Sequence, residues 1–201
     1  GQLFTSLLLL VGVGSFVNFF SNPTAFLVEG DVQQMFWRKR MQKQIERLSD
    51  HVIICGAGHT GEFVIQELLD TEREFVVIER EVERIQELVS SFETDFPAVV
   101  GDATDDEVLH AAGIREASGL VSCFNNDKDN LIVTVSAHLI KPSLRIISRC
   151  TDKRVEKKLR SAGAEKVVSG SRIGGLRMVS EMIRPAAVSF LDEMLRGQQK
   201  T

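Results

Sequence analysis

An α/β fold, with a parallel sheet of six strands wrapped by helices, is what this sequence predicts, and three observations carry the prediction. Beyond residue 50, short β-branched apolar runs alternate with helically patterned segments, the sequence form of a parallel sheet. The ends of the first five runs, Gly56, Glu79, Asp102, Asn125 and Arg149, lie 23, 23, 23 and 24 residues apart. Glycines at 56, 58 and 61 follow the first run directly and open a helical pattern. Together these describe a Rossmann-like, doubly wound sheet, in which ligands settle outside the carboxyl ends of the strands.

The first element is apolar. Residues 1–28 contain no ionisable side chain, and Leu3 to Phe20 is almost wholly hydrophobic. At about 1.5 Å per residue such a helix crosses a hydrocarbon core of roughly 30 Å. The basic residues Arg38, Lys39, Arg40, Lys43 and Arg47 follow it rather than precede it. That order argues against a signal peptide and, by the positive-inside bias, anchors the chain in a membrane with residues after 30 in the cytoplasm. Gly12 and Gly14, in mid-span, suit a packing notch between helices or a hinge, and Pro23 kinks or ends the span. Met41, Ile45 and Leu48 recur at helical spacing among the basic residues, so a connecting helix is expected rather than a slack tether.

Strands are then expected at 51–55, 75–79, 98–102, 120–124, 145–149 and, shorter, 166–169, with helices at 61–70, 81–92, 105–113, 127–140 and 152–163. Two apolar stripes close the chain: Ile173, Leu176, Val179 and Ile183 before Pro185, then Val188, Leu191 and Leu195 after it. Such a broken amphipathic pair reads as a helix-turn-helix element whose faces are buried on a partner copy. The organisation expected is therefore a transmembrane helix (1–30), a basic helical linker (31–49), a Rossmann-like lobe (50–170) and a helical dimerisation segment (171–201).

Composition narrows the function. The chain's 201 residues suffice for one ordinary domain and a modest appendage, not for a cofactor domain and a full catalytic domain together. A net charge of −4 and the absence of tyrosine give no electrostatic reason to expect nucleic-acid binding. Cys55, Cys123 and Cys150 lack metal-site spacing and read as small buried strand residues in a reduced compartment. His51 opens a strand, His59 lies in the glycine loop, and His110 and His138 fall within helices, so no pair has metal-ligand spacing. Gly1 in place of Met is expected of a fragment or a processed product.

The strand ends suit an adenine nucleotide. In the loop Gly56, Ala57, Gly58, His59, Thr60, Gly61, the first glycine allows a tight turn, the second admits a phosphate and the third lets helix approach sheet. Glu79 can accept hydrogen bonds from both ribose hydroxyls and would repel a 2′-phosphate, which favours NAD(H), ATP, ADP or AMP over NADP; Arg80 beside it tempers that exclusion. Asp102, with Ala103 next to it, either contacts the ligand or caps the following helix. Asn125 and Asn126 are adaptable donors and acceptors at the strand where winding reverses, and Arg149 is placed to pair with phosphate or with a surface carboxylate.

The stretches HVIICGAGHTG, VVIERE, VVGDATDDEVLHAAGI and LRSAGAEKVVSGSRIGGLRM resemble the RCK domain (regulator of potassium conductance, also called the TrkA N-terminal or KTN domain) over about residues 50–195. FTSLLLLVGVGSF is similar to the inner pore helix of prokaryotic potassium channels, with Gly12 matching the family's gating hinge and Gly14 two residues on. The resemblance implies a cytoplasmic domain that pairs through its late helices, assembles into a homo-oligomeric ring, often of eight domains, and pulls on the inner helices when ligand binds. It also implies a potassium pore in the membrane. Calcium is disfavoured as the ligand: where the calcium-gated archaeal relatives place two further carboxylates this chain has Arg149 and Thr151. Two other readings remain: the regulatory domain of a cation–proton antiporter or Trk/Ktr-type potassium transporter, and an NAD-dependent oxidoreductase, which lacks the residues for a catalytic domain.

Overall fold

The computed structural model describes residues 31–197. The span expected over 1–30, with Gly12 and Gly14, lies outside them, and among the described residues no helix is long and apolar enough to cross a membrane. The chain divides into two compact units, Gly1–Arg40 and Met41–Thr201.

A first helix, α1 (Asp31–Ile45), leads into β1 (Val52–Cys55), α2 (His59–Asp70), β2 (Phe75–Glu79), α3 (Val82–Phe92), β3 (Ala98–Val100), α4 (Asp106–Ala111) and β4 (Gly119–Ser122). There follow α5 (Asp127–Ile140), β5 (Arg145–Arg149), α6 (Lys153–Ser161), β6 (Lys166–Val168), α7 (Gly170–Ile183) and α8 (Pro185–Gly197). All six expected strands form one sheet in the order β3-β2-β1-β4-β5-β6, and every pairing is parallel. The order reverses between β1 and β4. Right-handed crossovers therefore send the helices of the first half to one face and those of the second half to the other.

The central strands are covered on both faces, which is why VIIC and FVVI run apolar without alternation: Ile53, Ile54, Cys55, Val76, Val77 and Ile78 are wholly buried. Helix starts explain the boundaries. Asp105, Asn126 and Asp152 cap α4, α5 and α6 by accepting from the backbone N–H two residues on, at 2.9 to 3.0 Å. The α5 face that meets the sheet carries a polar residue, Asn130, among Val133, Thr134 and Ala137, all buried.

The connector expected from Met41, Ile45 and Leu48 is bound to this body. Met41 and Ile45 are buried, and Leu48, in the turn after α1, packs against the core. His51, immediately before β1, is also buried and donates from Nε2 to the carbonyl of Ala112 at 2.9 Å. A Cβ on Gly113 (φ +73°) would sit 3.1 Å from the His51 ring and 3.5 Å from Ile45, so glycine here lets the connector's end close against the sheet. This contact lies at the amino end of β1, one strand length from the carboxyl ends.

At the other end of the chain, Arg184 breaks the helical pair and Pro185 starts α8 at the position where a missing N–H costs nothing. Val188 is buried, but Ile173, Leu176, Val179, Ile183 and Leu191 are all more than half exposed within this chain. Met178, Met182, Phe190 and Met194 join them, so the stripe finds no cover on its own core.

Candidate functional site

Sheet order converts the 23-residue rhythm into a row. Along the carboxyl edge, Asp102 follows β3, Glu79 ends β2, Gly56 follows β1, Asn125 follows β4 and Arg149 ends β5, on adjacent strands in that spatial order. Side-chain bonds link neighbours along the row. Arg80 Nη2 reaches Asp102 Oδ2 at 2.6 Å, Glu79 Oε2 accepts from Ala57 N–H at 2.7 Å, and Arg149 Nη1 donates to Asn125 Oδ1.

The three glycines do three different jobs. Gly56 has φ +91°, a left-handed conformation that L side chains rarely adopt, and a Cβ there would press on the Phe124 ring at 3.0 Å. Gly61 lies in α2 where a Cβ would stand 2.0 Å from the carbonyl oxygen of Gly56, so helix and strand end could not meet. Gly58 is different: its φ is −67° and a Cβ there would meet nothing within 4 Å. Neither backbone strain nor packing within the chain requires glycine at 58. The space beside it is open at the start of α2, and Gly58 supplies no side-chain cap to that helix. First-turn N–H groups facing an open, Cβ-free space are what a phosphate group fits.

Glu79 is held by backbone: Oε1 accepts from Arg80 N–H at 2.7 Å and Glu81 N–H at 3.3 Å, beside the Ala57 bond on Oε2. A carboxylate with about four lone-pair sites keeps acceptor capacity for a hydroxyl after those three bonds. Arg80, expected beside Glu79 as a cation tempering its charge, is committed to Asp102. Asp102 is not the helix cap, a role Asp105 takes. Its Oδ1 instead accepts from Thr104 N–H (2.9 Å) and Oγ1 (2.7 Å), closing the turn after β3. The Arg80 hydrogen bond, more than the Thr104 bonds, holds the Asp102 carboxyl down at about 2.

That depression has a sign. A group whose folded pKa lies below its ordinary value stabilises the fold above the ordinary value, about 3.9 for Asp, and loses that contribution as pH falls toward about 2. Asp102→Asn, which keeps an acceptor for Thr104 but drops the charge, should melt slightly below wild type at pH 5 to 7. The gap should close in thermal scans as pH falls from about 4 toward about 2. Both side chains are nearly half exposed, so the gap corresponds to less than about 1 kcal/mol and shrinks with salt.

The other expected residues are accounted for. Ala57 and Ala103 are buried, and both backbone groups of Ala57 are engaged within the chain, its N–H by Glu79 and its carbonyl by Arg84. His59 is exposed, starts α2, and stacks edge-on against Phe63 with ring centroids 5.0 Å apart. Thr60 is half-buried in the same turn. Asn126 is used as the α5 cap, and Arg149 is bonded to Asn125 rather than to a carboxylate. Burial raises the Cys55 thiol well above its ordinary pKa and takes Cys123 up to about 11, so both stay protonated under the loop.

Three residues that shape the site, Asn130, Asp127 and Arg84, escaped the sequence. Asn130, wholly buried, accepts from Ser122 Oγ (2.7 Å) and Phe124 N–H (3.1 Å) and donates to Phe124 O (2.9 Å). It thereby fixes Phe124, whose ring abuts Gly56. Asp127 accepts from the N–H groups of Thr151 and Asp152, both at 2.8 Å, joining the loops after β4 and β5. Arg84, on α3, donates from Nε to the Ala57 carbonyl at 2.9 Å and pairs with Glu62 of α2 at 2.5 Å. The signal for Asn130 was there: it is a polar residue on the inward i, i+3, i+4, i+7 face of α5.

The family model described as the TrkA-N domain matches residues 52–170. Probable potassium channel protein 2 of Methanocaldococcus jannaschii is 35% identical over 196 residues, 98% of this chain. The chain spans 57% of that relative's length. Among solved structures, the TrkA-N domain of the inner membrane protein ybaL from Escherichia coli superposes with a TM-score of 0.63 at 26% identity, covering 69% of this chain and 99% of that one. The GsuK channel bound to NAD gives 0.58 at 25% identity over 67% of this chain and 24% of its own. GsuK bound to ADP gives 0.58 at 27% over 74% and 38%. With its parallel six-stranded sheet and the matched residues spanning the whole carboxyl edge, the chain belongs to the TrkA-N domain family.

Proposed function

We propose that this chain is the ligand-sensing gating region of a potassium channel, whose crevice binds an adenine nucleotide and biases the pore. The observation that carries the reading is Gly58, a glycine that neither strain nor internal packing explains, beside open space at a helix start. The phosphates lie over the 56–61 loop and the first turn of α2, and the adenosine ribose hydrogen-bonds to Glu79. Thr60, His59, Arg80, Asp102, Ala103, Asn125, Asn126 and Arg149 border the ligand. Relatives of this fold that carry NAD and ADP support that assignment. The match to a potassium channel protein over 98% of the chain takes in most of the apolar N-terminal run, which favours a channel over an antiporter or a soluble transporter subunit.

The coupling follows from where the connector joins. Ligand contacts gather at the carboxyl ends of the strands, whereas Ile45 and His51 join the body at the amino end of β1. The close-packed sheet between them transmits as a rigid body, so nucleotide shifts the orientation of a domain that carries the connector with it. A ligand does this only through different affinity for two states. Turning a gate from mostly shut to mostly open takes about 5.5 kcal/mol, a sum that domains in a ring share. The exposed faces of α7 and α8 are the surface through which copies pair, residues 31–49 link the lobe to an inner helix in 1–30, and Gly12 and Gly14 let that helix bend.

The test is thermal unfolding of the purified chain with NAD, NADH, ATP, ADP, AMP or calcium. A ligand present at 100 times its dissociation constant adds about 2.7 kcal/mol to the folded state, a shift of several degrees. At least one adenine nucleotide should produce it; a midpoint that no nucleotide moves removes the proposal.

A further inference from the structure

Both peptide groups flanking Ala57 are fixed by side chains from elsewhere. Glu79 takes the Ala57 N–H at 2.7 Å, and Arg84 Nε donates to the Ala57 carbonyl at 2.9 Å. The first bond belongs to a residue already placed in the crevice. The second comes from α3, and Arg84 is itself held in place, with Nη2 on Glu62 at 2.5 Å and Nη1 on Glu87 at 3.2 Å. Glu62 stands in the first turn of α2, so one guanidinium grips the glycine loop at Ala57 and again just beyond its end.

We infer that Arg84 is a positioning residue for nucleotide phosphate, acting through the Ala57–Gly58 peptide; the inference rests on the nucleotide reading of the crevice. The peptide is planar and trans, so a carbonyl held toward α3 aims the Gly58 N–H the opposite way. This peptide is the one in the loop that needs holding. A glycine on its C-terminal side tolerates φ of either sign, so the plane can flip at little steric cost. Flipped, it would withdraw an N–H donor and present a carbonyl oxygen to an anion. Arg84 offers the carbonyl a charge-assisted bond that the flipped state lacks. Glu62 and Glu87 fix the fork's direction and offset its charge, so Arg84 sets geometry rather than drawing the phosphate to itself.

The experiment compares ADP with adenosine by titration calorimetry on the purified chain, wild type against Arg84→Gln and Glu62→Gln. Loss of one charge-assisted bond should weaken ADP about tenfold in Arg84→Gln and a few-fold in Glu62→Gln. Adenosine, which has no phosphate to lose, should bind both variants within about twofold of wild type. If Arg84→Gln does not fold, the ADP-to-adenosine ratio in Glu62→Gln decides. Equal losses for the two ligands would mark a merely structural residue and overturn the inference, as would unchanged ADP affinity. Wild type that binds neither ligand overturns the nucleotide reading and this inference with it, an outcome separate from either of those.

Discussion

Glu79→Ala should weaken NAD or ADP binding by about ten- to a hundredfold, because the charge-assisted hydrogen bond to a ribose hydroxyl is worth roughly 1.5–3 kcal/mol. The carboxylate has a second duty that makes the variant's stability informative. It is the acceptor for the N–H of Ala57, a residue that is wholly buried. Removing it leaves that donor without its partner, at about 1–3 kcal/mol, so the melting temperature falls as well. Glu79→Gln separates the two effects. Its amide oxygen can still accept from Ala57 N–H, restoring most of the stability, but it is uncharged and accepts fewer bonds, so affinity recovers only in part. It also lifts the repulsion toward a 2′-phosphate, and discrimination against NADP should relax, since Arg80 is occupied by Asp102. Calorimetry with NAD and NADP on the three proteins checks all of this. Affinity for NAD in Glu79→Ala within about twofold of wild type would take this crevice out of the account.

What the sequence made legible was whatever repeats or punctuates. β-branched runs marked all six strands, the first five at a near-constant interval, and the ends of those five marked the row Asp102, Glu79, Gly56, Asn125, Arg149, because a parallel sheet brings its carboxyl ends to one edge. What it hid was pairing across that edge. Asp102 was legible as a strand-end carboxylate with two outlets, but its actual partners, Arg80 and Thr104, depend on strand spacing that no linear pattern encodes. The cap signal in GDATDD was real and belonged to Asp105, three residues later. In the sequence Arg84 is one charge among several between residues 79 and 87. Its role follows from α3 lying beside the β1–α2 loop, a relation set by handedness of the crossover rather than by neighbours in sequence. The late helices were legible as amphipathic, yet an exposed stripe and a buried one read alike in sequence, and only the fold shows that the described residues leave this one exposed.

The glycine trio offers the sharpest separation of stability from function. Gly61→Ala puts a Cβ 2.0 Å from one backbone oxygen and 3.0 Å from its carbon, so no side-chain rotation can relieve the clash and α2 must retreat from the strand end. An overpacking cost of about 3 kcal/mol is expected, which for a domain of this size lowers the melting temperature by roughly 10 °C. Nucleotide binding is lost along with the helix position. Gly58→Ala should do the reverse. Its backbone suits any residue and its Cβ meets nothing. The gain from a stiffer unfolded chain, about 0.4–1 kcal/mol, is opposed by alanine's poorer helix capping, and the melting temperature should stay within about 2 °C of wild type. Yet a methyl group then stands where phosphate would lie, so NAD or ADP affinity should drop by about tenfold or more. Thermal scans with and without nucleotide read both variants. If Gly58→Ala keeps its full nucleotide-induced shift, the open space beside that residue is not a ligand's, and the functional reading loses the observation that carries it.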